Sequence, residues 1–401
     1  MNIPELFSKD DYLQNPILKR FIREHELEKA STKNELIAII EEYSDKSPKN
    51  QKEVYSWLEK VIKEGSKLFC YRKINNIENC INNADVVQDR IKEKYPNCPM
   101  VSVIDYESTE KITLINYSIK NDKNGIYSIE FVFSNLFLCG EVHTLGEKIS
   151  LPVYVDVYVK SGFIVGRCKA KTSLFEYDET NEYLVSDDRI QVTDHISTIM
   201  DKVIELFELD VSRDKDIVKA NNSKMLYALY NKYSVTPPEV KDKVDSQKEV
   251  ILGFINSFFQ NLNLDIRNMK KAIKDAEILI EKYISLNGDS DEILKRNNRA
   301  YLVKVASDDE SELTRIDASS ASTVPLQITE AFYDSKKAVI TSKMCRRLSF
   351  VFKRNDDKCF PKINKLVVQI GTIKDLGFMK TLQYAEEEDI QYVLQTIFEN
   401  Y

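Results

Sequence analysis

The sequence predicts an α+β fold: a small N-terminal helical module, then antiparallel β-rich blocks flanking a four-helix segment. Apolar residues recur at helical spacing through residue 64 and again from residue 194 to 286. Between residues 100 and 175, and again after residue 300, the period becomes two, with β-branched and aromatic residues enriched. The stretch "NDKNG" at 121–125 supplies a turn between two such runs, as an antiparallel hairpin requires.

At 401 residues the chain exceeds one ordinary core. Four segments are expected: 1–75 as a helical module, 76–192 as an antiparallel β-rich domain, 193–292 as a helical segment, and 293–401 as a basic β-rich domain closed by a helix. The 43% hydrophobic content, with only ten glycines and ten prolines, belongs to a folded chain and not a disordered one. The opening "MNIPELFSKDDYLQ" lacks the basic and apolar regions of a signal peptide. No run approaches the roughly eighteen apolar residues of a membrane span. Seven cysteines, an odd number without close pairs, read as free thiols of a reducing, cytoplasmic setting.

The first element is read from "NPILKRFIRE", where Asn15 is the expected N-cap and Pro16 the first helical residue of a helix whose stripe is Leu18, Phe21 and Ile22. Thr32 and Glu35 form a capping box for a second helix, carrying Leu36, Ile39, Ile40 and Tyr43. Two short helices joined by the extended "HELEKAS" resemble the SAP family of small DNA-binding modules, with Leu27 and the Lys33–Leu36 helix start matching best. The resemblance implies phosphate contacts from Lys29 and Lys33, with Arg20 or Arg23 beside them. The connector lacks the family's usual glycine and carries Glu24, Glu26 and Glu28 close by.

A third helix, roughly Gln51–Glu64, groups Val54, Trp57, Leu58, Val61 and Ile62 and stops at Gly65; Trp57 reads as core filler. A strand "KLFCYRK" and a helix near Ala84–Glu93 follow. Strands are then predicted at "MVSVIDYE", "KITLINYSIK" and "YSIEFVFSNLFL". Asp194 is expected to cap a helical tract reaching Leu286, with Ile196, Met200, Val203, Ile204 and Phe207 on its first stripe. Strands are predicted again at "AYLVKVAS", "STVPLQITEAFY", "KAVITSK", "RRLSFVFKR" and "KLVVQIGTI", before an acidic final helix, "EEEDIQYVLQTIFENY".

The hairpin "LPVYVDVYVKSGFIVGRCKAKT" has one apolar face and one half-polar face. With Ser161-Gly162 as a two-residue turn, Asp156 stands opposite Arg167 and Tyr154 opposite Lys169. An exposed pair of this kind contributes about 0.2–1 kcal/mol. The half-polar face, ending in Arg167, Lys169 and Lys171, is expected to meet water or a neighbouring element.

Charge is unevenly spread over the chain. Residues 332–381 hold twelve Lys and Arg against four Asp, a local +8 in a chain whose net charge is −7, so the remainder sums to −15. That asymmetry suits an anionic partner. The candidate nucleic-acid contacts are therefore Lys29, Lys33, Arg167, Lys169, Lys171, Lys343, Arg346, Arg347, Lys353 and Arg354. Motifs for phosphate-cradling loops, zinc ligation and serine hydrolysis are absent from the sequence. Cys139 and His143 make half of a metal site at most, and no cofactor is expected. Three readings follow. The first is a non-enzymatic nucleic-acid-binding accessory protein, of the kind found in bacterial mobile-element and antiviral assemblies. The second is an adaptor for a protein partner or a homo-oligomer, docking through Glu386, Glu387, Glu388 and Asp389. The third is a metal-dependent nuclease using Asp105, Glu130 or Asp156.

Overall fold

Helix α1 (Asn15–Glu24) starts one residue earlier than expected, with Gln14 and not Asn15 at its N-cap and Pro16 in its first turn, and it buries Leu18, Phe21 and Ile22 as the spacing predicts. The capping box forms, with the Thr32 hydroxyl accepting from the Glu35 amide at 3.3 Å and the Glu35 carboxylate accepting from the Thr32 amide at 3.1 Å. It opens α2 (Lys33–Asp45), and Ser47 caps α3 (Pro48–Lys63). In the connector Glu26 takes φ 53°, a left-handed conformation that glycine adopts more cheaply. Trp57, half-buried, packs its ring 4.7 Å from that of Phe21, against the core of this helical cluster.

The computed structural model describes residues 3–4, 7, 12–123, 125–142, 144–177, 188–287, 299–309, 314–321, 324–354 and 365–401. These hold twelve helices and fourteen strands, and the strand pairings are antiparallel, so the fold is α+β. They divide into two compact units. The first takes the described residues up to Lys219, with Arg354 and Ile373–Phe398; the second takes Ala220–Lys353, Lys365–Thr372 and Glu399–Tyr401.

In the first unit, β1 (Lys67–Lys73), α4 (Ile77–Cys80) and α5 (Ala84–Lys94) lead to β2 (Thr113–Asp122) and β3 (Gly125–Ser134). Next come β4 (Leu136–Cys139), β5 (Glu147–Ser150), β6 (Val153–Tyr158), β7 (Phe163–Lys169), β8 (Leu174–Glu176), β9 (Arg189–Ile190) and α6 (Val192–Phe207). The main sheet of this unit runs β14-β1-β7-β6-β3-β2, where β14 is Leu376–Thr381; a smaller sheet runs β5-β4-β8-β9. Helix α6 covers one face through its predicted stripe, burying Ile196, Met200, Val203, Ile204 and Phe207 against Val153, Val155 and Val157. The last helix of the chain (Glu387–Phe398) lies on the other face, where Phe398 stacks 4.2 Å from Phe163.

The second unit begins within α7 (Lys215–Tyr233) and continues through α8 (Pro238–Asp245), α9 (Lys248–Asn261) and α10 (Met269–Asn287). Strands β10 (Ala300–Asp309) and β11 (Thr314–Ser319), helix α11 (Glu330–Ser342), β12 (Arg347–Lys353) and β13 (Lys365–Ile373) complete it. Its strands run β11-β10-β12-β13. The final helix of the chain is α12.

Several sequence expectations are corrected. "MVSVIDYE" is no strand but a turn, because Ser102 accepts the Ile104 amide on its hydroxyl and the Asp105 amide on its carbonyl. Residues 324–342, read as two strands from their β-branched content, form a 3-10 turn and α11 instead. Phe332, Tyr333, Lys336 and Val339 sit at helical spacing, and burying that face outweighs strand propensity. Gln191, not Asp194, precedes α6. The tract from Val192 to Asn287 holds five helices where four were expected.

The 151–172 hairpin keeps its faces but shifts by two residues. Tyr154 opposes Arg167 and Asp156 opposes Val165. Its connection runs Val159–Gly162, closed by the Gly162 amide donating to the Tyr158 carbonyl at 2.9 Å, with Gly162 at φ 67°. A two-residue shift preserves alternation, so each side chain stays on its predicted face. Gly166 on β7 lies directly under α6, where an added Cβ would sit 2.4 Å from Ile196 Cγ2. We expect Gly166→Ala to lower stability by about 1–3 kcal/mol in denaturant melts, with Ile196→Ala in the same chain reducing that loss. Additive penalties from the two substitutions would contradict the contact.

Candidate functional site

Arg167 is 1% exposed, and it organises the half-polar face of the first unit's sheet. The strands place it there, since Glu130 on β3 stands directly opposite Asp156 on β6, and β7 brings Arg167 onto the same face. Its Nη2 lies 3.4 Å from Asp156 and 3.9 Å from Glu130. From α12, Glu387 accepts from Nη1 at 2.6 Å and from Nη2 at 3.3 Å, a bidentate pairing. Lys63 on α3 forms an ion pair with Glu130. Gln391 donates to Glu387 and to the Tyr158 hydroxyl, each at 2.7 Å.

The network adjoins a chamber of about 450 Å³ whose lining includes Glu59, Lys63, Glu64, Glu130, Tyr154 and Glu387. Burial pushes the Asp156 carboxyl up to about 7 against the pull of Arg167. For Glu387, burial would raise the carboxyl, but the charge and hydrogen bonds of Arg167 overrule it and hold it down at about 2. Burial likewise works against Glu130, and Lys63 overcomes it, leaving that carboxyl below its usual value. With Asp156 protonated, two cations face two carboxylates and the buried cluster is neutral. Such a cluster locks β3, β6, β7, α3 and α12 together.

The acidic start of α12 behaves the same way along its length. Glu386 pairs with Arg20 of α1, Glu387 with Arg167, and Asp389 with Arg354 at 3.0 Å. Acids there also favour the helix N-terminus. Glu386, Glu387 and Asp389, expected as a docking surface, are engaged within the chain.

Burial corrects three of the candidate contacts. Arg167, Lys169 and Arg354 are at most 9% exposed, out of reach of an external backbone. Lys169 lies beside Lys67 on the paired strands, and their ammonium groups stand 4.2 and 4.5 Å from the Tyr12 ring. Lys171 is half-buried just beyond β7. In the second unit Lys343 is exposed at the end of α11, while Arg346, Arg347 and Lys353 are half-buried around β12. Neither face of β12 is an open basic surface. Val351 packs with Tyr301 and Val303 on one side, and Phe350 meets Tyr233 at 5.2 Å on the other.

Lys29 and Lys33 remain accessible, exposed and half-buried respectively. Lys29 helps line a groove of about 550 Å³ between α1, the connector and α2. Ile22, Leu27, Ala30 and Leu36 line its apolar part, and Lys19 and Arg23 supply further exposed charge. Lys19 was not singled out from the sequence, although its position one turn before Arg23 puts the two on one helix face.

Of the proposed nuclease acids, Glu130 and Asp156 do adjoin, but each serves the ion network; Asp105 accepts from the Tyr55 hydroxyl. Among the described residues no cluster of three or more His, Cys, Asp or Glu is placed to hold a metal. His143 and Cys359 lie outside the described residues, and the other six cysteines are free thiols. No helix of the described residues is long and apolar enough to cross a membrane.

Two outcomes follow from the network. Arg167→Met should cost about 3–5 kcal/mol in denaturant melts, because it leaves the Glu387 carboxylate without its cation and Asp156 without its guanidinium neighbour; a loss below about 1 kcal/mol would contradict the lock. Asp156 is raised in the folded state, so its contribution is full below its ordinary 3.8 and is lost as pH climbs to about 7. Asp156→Asn should therefore remove a decline in stability across that window, seen as the difference between the two proteins' melts. An unchanged pH profile would show that Asp156 ionises freely.

Compared with known proteins, the chain matches no protein-family model, no curated protein and no solved structure.

Proposed function

We propose that the protein binds nucleic acid through its N-terminal helix–extension–helix module. The observation that carries this reading is the groove between α1 and α2, apolar on its floor and edged by Lys19, Arg23 and Lys29. A sugar–phosphate backbone suits that arrangement. The sugars lie against Leu27 and Ala30, while the phosphates meet the three cations and exchange their condensed counterions for them. Lys33, half-buried in the first turn of α2, lies outside the groove's lining. Glu26 is the single acid among the groove's lining, so the local balance is positive in a chain that is negative overall. The SAP-like order of elements supports the same reading, with contacts that position the backbone and do not read base sequence. The module then acts as an anchor, holding the rest of the chain on a nucleic acid as an accessory protein of a larger assembly.

Fluorescence anisotropy with a labelled mixed-sequence duplex tests this. Binding is expected at low salt and should weaken steadily as salt rises. Lys19→Glu, Arg23→Glu and Lys29→Glu together should abolish most of it, and milder Ala replacements should flatten the logarithmic salt slope by about 2–3. The reading fails if low salt gives no affinity, if salt has no effect, or if the triple variant binds like the wild type.

A further inference from the structure

Helix α9 is apolar around most of its circumference. Ile251, Ile255 and Phe259 are buried against α10, forming the seam of an antiparallel helical hairpin. Yet Val250, Phe254 and Phe258, at i, i+4 and i+8, remain 66%, 66% and 45% exposed. Phe254 and Phe258 stack on one another at 6.2 Å. On α10, Leu279 and Tyr283 are 53% and 58% exposed, and Ile266 at the hairpin tip is 75% exposed. With the two helices antiparallel, the 3.6-residue period turns the α9 stripe and the Leu279–Tyr283 pair to the same side of the hairpin.

A helix hydrophobic around its surface needs cover on more than one side. The charge pattern narrows what covers this one. After Lys248 and Glu249, α9 carries no charged residue, so its outer face offers a partner no ion pair to select on. The match has to be apolar against apolar. A two-fold contact meets that condition directly, because it sets the same stripe against itself.

Area points the same way. At their exposures the five side chains of this face present on the order of 600 Å² per chain, approaching the roughly 800 Å² per partner of a standard stable interface and at the top of the ~300–600 Å² of a typical monomer's largest apolar patch. We infer that two copies of this chain associate through the exposed α9–α10 face, the two hairpins forming an intermolecular four-helix bundle centred on Phe254 and Phe258. Such a dimer pairs hairpins by the helix packing that stabilises intramolecular bundles. It rests on the second unit alone and is independent of the N-terminal groove.

Sedimentation velocity of the full chain over a wide concentration range tests the inference. The wild type should run as a dimer, dissociating only on dilution. Phe254→Glu with Phe258→Glu should give a monomer whose far-ultraviolet circular dichroism matches the wild type, since both side chains are on the surface. Tyr283→Glu, on the other helix, should weaken the dimer as well, which separates loss of the interface from a local fault in α9. A wild type that stays monomeric at the highest concentration, or a dimer that survives the double substitution, overturns it.

Discussion

The first turn of α12 is the constraint on which the first unit depends. Glu386 just before it, and Glu387 and Asp389 within it, reach three arginines far apart in sequence: Arg20 from α1, Arg167 from the sheet and Arg354 from beyond β12. Each arginine brings a different part of the chain to one helix end. The contact also determines what happens to charge in this protein. Arg167 and Arg354, which composition alone assigns to an external anion, are neutralised by carboxylates from the last helix.

Burying that cluster is possible because its members are satisfied together. A single guanidinium in the sheet's interior would be prohibitive, whereas a bidentate carboxylate and a second acid make it tolerable. Glu64 extends the scheme, accepting the Glu387 amide at 2.8 Å and the Tyr384 hydroxyl at 2.9 Å. Backbone groups at the start of α12 are thereby tied to the end of α3. The opposite face of the same sheet is built differently, from valines against the apolar stripe of α6, with Gly166 allowing close approach. One face is thus held by packing and the other by a mixture of packing and paired charge.

Much of this was legible in the sequence, for identifiable reasons. Local signals held where the deciding interaction is local: the Thr32–Glu35 capping box, the α6 stripe, the strand Lys67–Lys73. The faces of the 151–172 hairpin were legible because alternation survives a two-residue shift, but its register was not, since the turn type depends on Gly162 adopting a positive φ. Residues 330–342 misled because Val339, Ile340 and Thr341 favour strands while burial of Phe332, Tyr333 and Lys336 favours a helix. The candidate basic residues were separated least well. Whether Arg167 meets solvent or Glu387 is decided by a contact between positions 220 residues apart, which no local pattern encodes.

The arithmetic of charge therefore has to be redone after folding. A net charge of −7 argues against a protein that coats nucleic acid, yet it does not decide what one groove can hold. At physiological ionic strength exposed charges are screened beyond about 8 Å, so distant acids act weakly on the field around Lys19, Arg23 and Lys29. Buried charges are already spent on one another. What a partner meets is the local surface: a small cationic groove in the first unit, and in the second an uncharged apolar face. On the proposed readings, the groove meets phosphates without selecting among them, and the apolar face meets only what matches its shape.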